Sequence, residues 1–161
     1  MDKVPMTTYG LAKLKAELED LQKNQRPDVI EAIEEARAHG DLKENAEYHA
    51  AKERQGFIEG RIAEIEGKMA NATIVDPEKV DQDKIVLGAT VKMVDVDSDK
   101  EVTYVLVGPE EADIDLGLIS VTSPIGRALI GKQDGDEVTV RAPGGEHVYE
   151  ILDFEYKAIK V

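Results

Sequence analysis

Residues 40–48 read GDLKENAEY, and this acidic stretch decides the fold of the first half of the chain. It interrupts two long segments of helical periodicity, so it predicts the bend of a helical hairpin. The bend contains three carboxylates, at Asp41, Glu44 and Glu47. Because the end of a long projection presents its side chains outward, these acids indicate contact with another molecule.

The segment before the bend repeats apolar residues at coiled-coil spacing, namely Leu11, Leu14, Leu18 and Leu21. Pro27 interrupts the repeat, which resumes with a shifted register at Val29 or Ile30. An interior proline removes a helical hydrogen bond and clashes with the preceding turn. We therefore expect a kink or break near residues 24–27.

The segment after the bend has a more regular apolar repeat, made by Tyr48, Ala51, Gln55, Ile58, Ile62, Ile65 and Met69. Two such stripes joined by a short turn must pair antiparallel, because neither can bury its seam alone. Residues 1–75 are therefore predicted to form an antiparallel coiled-coil domain with an acidic tip. Arms of about 30 residues give a rod on the order of 45 Å long.

The second half of the chain has the period of β-strands. Five β-rich segments lie at residues 85–94, 102–107, 118–121, 138–141 and 148–154. Between two of them, Ser123 can cap a short helix, with Pro124 as its first residue and Gly131 just after its end. Residues 76–161 are thus predicted to form a small antiparallel β-sheet domain with one short helix, and the fold class is α+β.

Composition excludes several classes of protein. The 161 residues include no cysteine and carry a net charge of −14, so disulfide and thiolate chemistry are excluded. This acidity argues against a free nucleic-acid binder, which needs basic surface to displace counterions from phosphates. No apolar run approaches the roughly 20 residues of a membrane span, and the start lacks a signal-peptide core. We expect a cytoplasmic protein with no membrane partner.

Two other stretches begin like ligand-binding motifs without completing them. Residues 126–132 read GRALIGK, as in a P-loop, but Gln133 stands where Ser or Thr binds magnesium. Residues 95–99 begin like an EF-hand loop, but Lys100 replaces the required glycine. We expect a helix in the first stretch and a hairpin turn in the second.

The acidic bend has two interpretations. Asp41 and Glu44 have the spacing of a capping box, in which both would serve only the start of the second helix. Spacing alone favours this interpretation. Two carboxylates one helical turn apart can also hold a hard divalent cation, although they would bind Mg²⁺ weakly without further ligands. The second interpretation is half a metal site that a partner completes.

Two longer segments carry a resemblance to a known family. Residues 36–51 read ARAHGDLKENAEYHAA and residues 119–131 read ISVTSPIGRALIG. Both resemble signatures of the GreA/GreB family of bacterial transcript cleavage factors, and the likeness covers essentially the whole chain. The resemblance implies an N-terminal antiparallel coiled coil followed by an FKBP-like domain.

The resemblance also implies a function. In this family the C-terminal domain docks on RNA polymerase, and the coiled coil enters the secondary channel, which the 3′ end of backtracked nascent RNA fills. The tip acids, matched here by Asp41 and Glu44, help to hold a second Mg²⁺ that is shared with the polymerase and is not stably bound alone. The polymerase itself then hydrolyses the RNA, so such a factor is an activator rather than an enzyme.

Other residues match the family by position. Arg37 and Lys52 match a basic patch that contacts the extruded RNA, although both also suit an ordinary solvated helix face. Ser123 and Pro124 match the polymerase-docking region, although their helix-capping role could be their whole contribution.

Three alternative functions remain open at this point. A homologue that only binds and inhibits would be favoured by a changed acidic pair, which this chain does not have. A prolyl isomerase or chaperone would need an aromatic-lined pocket in residues 76–161. A purely structural coiled-coil adaptor would leave the acidic tip without a role.

Overall fold

The computed structural model describes residues 3–160, which form two compact units. One unit is a helical hairpin of residues 12–71, and the other joins residues 72–160 to residues 3–11. The chain therefore contributes its first strand and the start of its first helix to the second unit. The predicted division after residue 75 assigns these first residues to the coiled coil instead. No helix among the described residues is long and apolar enough to cross a bilayer.

The hairpin consists of α1 (Thr8–Asp20), a π-helical turn (Leu21–Gln25), α2 (Arg26–Ala38) and α3 (Ala46–Ala70). Ion pairs across the helices show that α3 runs antiparallel to α1 and α2. Arg61 Nε lies 2.6 Å from Glu17 Oε2, and Arg26 Nη2 lies 2.7 Å from Glu59 Oε1. The predicted antiparallel hairpin is confirmed.

The π-helical turn explains the shift in the apolar repeat. Seven residues after buried Leu21 the seam would fall on exposed Asp28, whereas the buried residue is Val29. The Arg26 N–H donates to the Leu21 carbonyl, five residues earlier, so the turn accommodates one extra residue. Of the kink or break expected near residues 24–27, a break is absent. The irregularity there is a wider π-helical turn, and the chain stays helical through Pro27.

The seam itself is buried as the spacing predicts. The core of the hairpin contains five buried side chains, Leu21, Val29, Ile58, Ile62 and Ile65, flanked by Leu14, Leu18 and Met69. Of the two candidates for the seam after Pro27, Val29 is fully buried and Ile30 is 43% exposed. Toward the bend the buried residues are alanines, Ala36 and Ala51. Because alanine is small, the helices can approach closely there. The tip buries less apolar surface than the rest of the seam, so burial stabilises it less.

The second unit contains a five-stranded sheet in the order β5-β4-β3-β7-β6. Its strands are β3 (Ala89–Asp95), β4 (Glu101–Val107), β5 (Leu118–Ser120), β6 (Glu137–Ala142) and β7 (Gly145–Tyr156). All neighbouring pairs are antiparallel except β4 and β5. The first predicted strand, residues 85–94, begins later than expected. Ile85 instead exchanges backbone hydrogen bonds with Gly131 and Lys132, and Gly88 turns the chain with a φ of 101°.

One short helix, α4 (Pro124–Leu129), belongs to this unit, as predicted. Ser123 Oγ accepts from the Gly126 N–H at 3.0 Å, and Gly131 has a φ of 82°, as expected just after a helix end. The apparent P-loop is thus this helix, and the apparent EF-hand is the turn between β3 and β4. The core beneath comprises nine buried residues, Ile85, Ala89, Val91, Met93, Leu106, Ile119, Leu129, Val138 and Ile151.

A second, two-stranded sheet was not expected from the sequence. β1 (Val4–Thr7) pairs in parallel with β2 (Ala72–Val75), so residues 68 positions apart become neighbours. The carboxylate of Glu111 accepts hydrogen bonds from the N–H groups of Thr7, Gly10 and Gly108 at 2.9, 3.0 and 2.8 Å, and from the Thr7 hydroxyl. This carboxylate holds the start of α1 against the loop after β4.

Candidate functional site at the hairpin tip

The bend between α2 and α3 is a loop with its own hydrogen bonds. Gly40 has a φ of 114°, which a glycine adopts without strain. Asp41 Oδ1 then accepts from the Lys43 N–H at 3.0 Å, which closes a turn over the following two residues. Asp41 and Glu44 are both exposed. The loop therefore presents both carboxylates to solvent.

The capping box that spacing favoured for Asp41 and Glu44 is wrong. Helix α3 begins at Ala46, so its N-cap is Asn45, whose Oδ1 accepts from the Tyr48 N–H at 3.0 Å. Asp41 stabilises the loop instead, and Glu44 lies before the helix rather than in its first turn. Glu47 is the acid in the first turn, where the helix dipole favours it.

Asn45 also ties the two helices together. Its Nδ2 donates to the Ala36 carbonyl at the end of α2, at 2.5 Å, while its Oδ1 caps α3. One amide side chain thus bonds a carbonyl in the last turn of one helix and an N–H in the first turn of the other. His49 adds a further contact, because its Nε2 lies 3.0 Å from the Lys43 carbonyl. The contact of His49 was not predicted, because the three histidines lack any common spacing.

The acidic side chains line an open depression of about 520 Å³. Its lining residues are His39, Asp41, Glu44, Asn45, Ala46 and Glu47. Carboxylate oxygens are suitable ligands for Mg²⁺, which also keeps several waters. Across residues 3–160, however, no three His, Asp or Glu side chains gather closely enough to hold a metal ion. The tip can supply some ligands of a metal site and lacks a complete one.

The two predicted RNA-contacting residues lie on the helices next to the tip. Arg37 is exposed in the last turn of α2, where a positive charge also suits the helix dipole. Lys52 is exposed in α3, and its Nζ donates to Gln55 Oε1 at 3.2 Å. Both positions are open to a ligand and equally consistent with ordinary surface charge.

The two predicted docking residues belong to the other unit. The Ser123 hydroxyl donates to the Ser120 carbonyl at 2.7 Å and accepts from the Gly126 N–H, so its hydrogen-bonding capacity serves the start of α4. Ser123 and Pro124 also border an apolar cavity of about 200 Å³. The other lining residues are Ile114, Ile119, Ile125, Val140, Ala142, His147 and Tyr149. Ile114 was not predicted, although its exposure of 62% marks an apolar side chain open to a partner.

Comparison with known proteins gives a consistent answer over nearly the whole chain. Residues 4–74 match the family described as transcription elongation factor, N-terminal, and residues 79–156 match transcription elongation factor, GreA/GreB, C-term. The transcription elongation factor GreA of Alkalilimnicola ehrlichii is 62% identical over 157 residues, covering 97% of this chain and 99% of that protein. Its counterpart in Halorhodospira halophila is 60% identical over 158 residues, covering 98% and 100%.

A solved structure was also found among related proteins. The GreA factor homolog 1 of Thermus thermophilus is 26% identical, covers 95% of this chain and 99% of that chain, and superposes with a TM-score of 0.42. The superposition is too loose to support an argument, so the assignment depends on the sequence matches. On those matches, the chain belongs to the GreA/GreB family of transcription elongation factors.

Proposed function

We propose that this protein stimulates RNA polymerase to cleave backtracked nascent RNA. The helical hairpin would enter the secondary channel of the polymerase and bring Asp41 and Glu44 to the 3′ end of the extruded RNA. The factor would catalyse nothing alone, because the active site belongs to the polymerase. Membership of a family of transcription elongation factors supports the general role. We expect the protein to act in the cytoplasm.

The observation that carries this proposal is an incomplete acidic site at the tip. Two exposed carboxylates lie on a loop that internal hydrogen bonds hold, and no third ligand completes a metal site within the described chain. Glu44 is not needed for the bend, because Asn45 caps α3 and ties it to α2 while Asp41 holds the loop. Asp41 and Glu44 are therefore suited to a site whose remaining ligands come from a partner.

Asp41 and Glu44 would hold the second Mg²⁺ together with groups of the polymerase. Bound there, the ion would supply the Lewis acidity of two-metal phosphodiester hydrolysis. The contribution of the chain is to carry two negative oxygens to the ion at the end of a narrow helical pair. The Asp41 carboxylate accepts from a backbone N–H and keeps further lone pairs for a cation.

The two basic residues would steer the RNA. Arg37 lies in the last turn of α2, just before the tip loop, and Lys52 follows the loop in α3. Cations at these points would attract the phosphates of the extruded strand, although the unit is acidic elsewhere. Their contribution should therefore weaken as ionic strength rises.

The apolar cavity beside α4 would dock the polymerase. Ser123 and Pro124 shape its rim through the helix cap, and Ile114 offers exposed apolar surface next to it. An apolar side chain of the partner could fill about 200 Å³ and exclude water there. Ser123 would act through the position of the helix, because its hydroxyl is already occupied.

The test uses stalled, backtracked polymerase complexes with Mg²⁺ and a labelled RNA 3′ end. We expect wild-type factor to accelerate release of the 3′ fragment and Asp41→Asn/Glu44→Gln to abolish the acceleration. Both substitutions keep the shape of the side chains and remove their charge. Glu53→Gln, which neutralises an exposed acid on α3, is the matched control and should behave as wild type.

Two results would contradict the proposal at different levels. Full acceleration by the double variant would exclude the role of the carboxylates in holding the ion. Wild-type factor that binds the complex without accelerating cleavage would instead support a factor that only occupies the channel.

A further inference from the structure

The loop that carries the two carboxylates is held through the backbone of one residue that lies between them. Lys43 lies between Asp41 and Glu44, and both of its backbone polar groups have partners. Its N–H donates to Asp41 Oδ1 at 3.0 Å, and its carbonyl faces His49 Nε2 at 3.0 Å. The first bond lies within the loop, whereas the second joins the loop to α3.

We propose that His49 is a positioning residue for the tip carboxylates, which it holds in place through the Lys43 carbonyl. The inference rests on the proposed function, because it assigns a part in that reaction to a residue that touches no reactant. A carbonyl oxygen can only accept, so His49 Nε2 must carry a proton and donate. Both the neutral Nε2–H tautomer and the imidazolium meet this requirement.

The hairpin does not need this bond for its own closure. Asn45 already connects the end of α2 to the start of α3 through Ala36 and Tyr48. His49 is exposed and lies outside the buried seam, and its ring contacts Tyr48 edge-to-face with centroids 5.5 Å apart. Loss of the imidazole should therefore free the loop and leave the helical pair intact.

Between Gly40 and Glu44 the loop has no other described hydrogen bond to α3. Without the His49 bond, Asp41 and Glu44 would sample several orientations, and a site shared with a partner depends on their placement to a fraction of an ångström. Loss of one such hydrogen bond should lower the fraction of molecules with correctly placed carboxylates by roughly three- to tenfold. We expect that factor in the cleavage rate.

The experiment compares His49→Ala and His49→Gln with wild type in the cleavage assay, at varied factor concentration. We expect His49→Ala to lower the rate at saturating factor by roughly three- to tenfold, with unchanged half-saturating concentration and unchanged urea unfolding. Glutamine can present its Nε2 donor to the same carbonyl, so His49→Gln should recover most of the rate. Glu53→Ala, one helical turn further along α3, is the control for loss of an exposed side chain.

Three results would overturn the inference. A wild-type rate for His49→Ala would do so, as would a His49→Gln variant as slow as His49→Ala. The third is independent of activity: two-bond ¹H–¹⁵N spectra of the free protein should show a protonated Nε2 on His49, and an Nδ1–H tautomer would exclude the bond. If wild-type factor gave no acceleration at all, the proposed function would fail, and the spectra would still decide whether His49 holds the loop.

Discussion

Replacing Glu111 by glutamine should loosen the start of α1 from the unit that holds it. The carboxylate receives four hydrogen bonds, from Thr7 through N–H and hydroxyl and from the N–H groups of Gly10 and Gly108. Thr7 is fully buried, and both glycines are buried as well. The approach is so close that a Cβ at Gly10 would overlap Glu111 itself, and one at Gly108 would overlap the Pro5 carbonyl.

The size of the effect follows from counting donors. Each carboxylate oxygen accepts two of the bonds, and glutamine replaces one oxygen with an NH₂ group that cannot accept. If the NH₂ group faces the Thr7 hydroxyl, that hydroxyl can turn and accept from it, so the Gly10 N–H is the donor that loses its acceptor, at about 1–3 kcal/mol. The remaining bonds also lose the added strength of a charged acceptor. Glu111 is half-exposed, so water can compensate in part. We expect the free energy of local opening of this segment to fall by about 2–4 kcal/mol.

Amide hydrogen exchange is the appropriate assay because it reports opening residue by residue. Exchange at Thr7, Gly10 and Gly108 should accelerate by roughly 30- to 700-fold in Glu111→Gln, given that 1.4 kcal/mol is a factor of ten. Glu137→Gln, on an exposed position of β6, should leave these three amides unchanged. Protection within threefold of wild type in Glu111→Gln would refute the assignment of the carboxylate as the clamp.

Four further predictions concern stability and are measured by urea unfolding. Gly60→Ala should stabilise α3 by about 0.5–1 kcal/mol, because the added Cβ would meet nothing within 4 Å. Gly126→Ala should destabilise the second unit by roughly 1–3 kcal/mol, because the added Cβ would overlap a carbonyl of β5. Ile65→Ala should cost about 2–5 kcal/mol, since that side chain is fully buried in the seam. The hydrogen bonds from Arg61 lower the pKa of Glu17, so the hairpin should lose stability as pH falls through that lowered value. Because both side chains are partly exposed, we expect this loss to be at most about 1 kcal/mol.

Each of these has a matched control. The two glycine substitutions control each other, and equal effects would contradict the packing described at α4. Ile30 lies next to Val29 in α2 and is 43% exposed, so Ile30→Ala should destabilise the hairpin far less than Ile65→Ala. For the ion pair, Arg61→Gln should flatten the pH dependence below the unfolded-state pKa of Glu17. An unchanged pH profile would show that the pair contributes nothing.

The hairpin was predictable because its information is local. Apolar residues at coiled-coil spacing specify which faces meet, and the acidic bend between them specifies the direction of α3. The position of the seam after Pro27 could not be chosen from spacing, because Val29 and Ile30 are equally apolar. The π-helical turn decides it, because its extra residue moves the seam to Val29.

The tip and the second unit show where sequence patterns stop being informative. Asp41 and Asn45 are both good helix-capping residues, and only the position of α3 reveals that Asn45 has that role. The pairing of β1 with β2 joins two four-residue segments that are remote in sequence, and segments so short have no clear period. The assignments of Asp41, Glu44, Arg37 and Lys52 to metal and RNA remain predictions from the family resemblance.

The discontinuous unit has a consequence for synthesis on the ribosome. Residues 12–71 form a hairpin whose partners emerge together, so it can fold as soon as α3 has left the exit tunnel. β1 must wait for β2, and Thr7 must wait for Glu111, which is 104 residues later. At about 5–20 residues per second, that delay is roughly 5–20 s. β1 is therefore left without its partner strand while the whole hairpin is made.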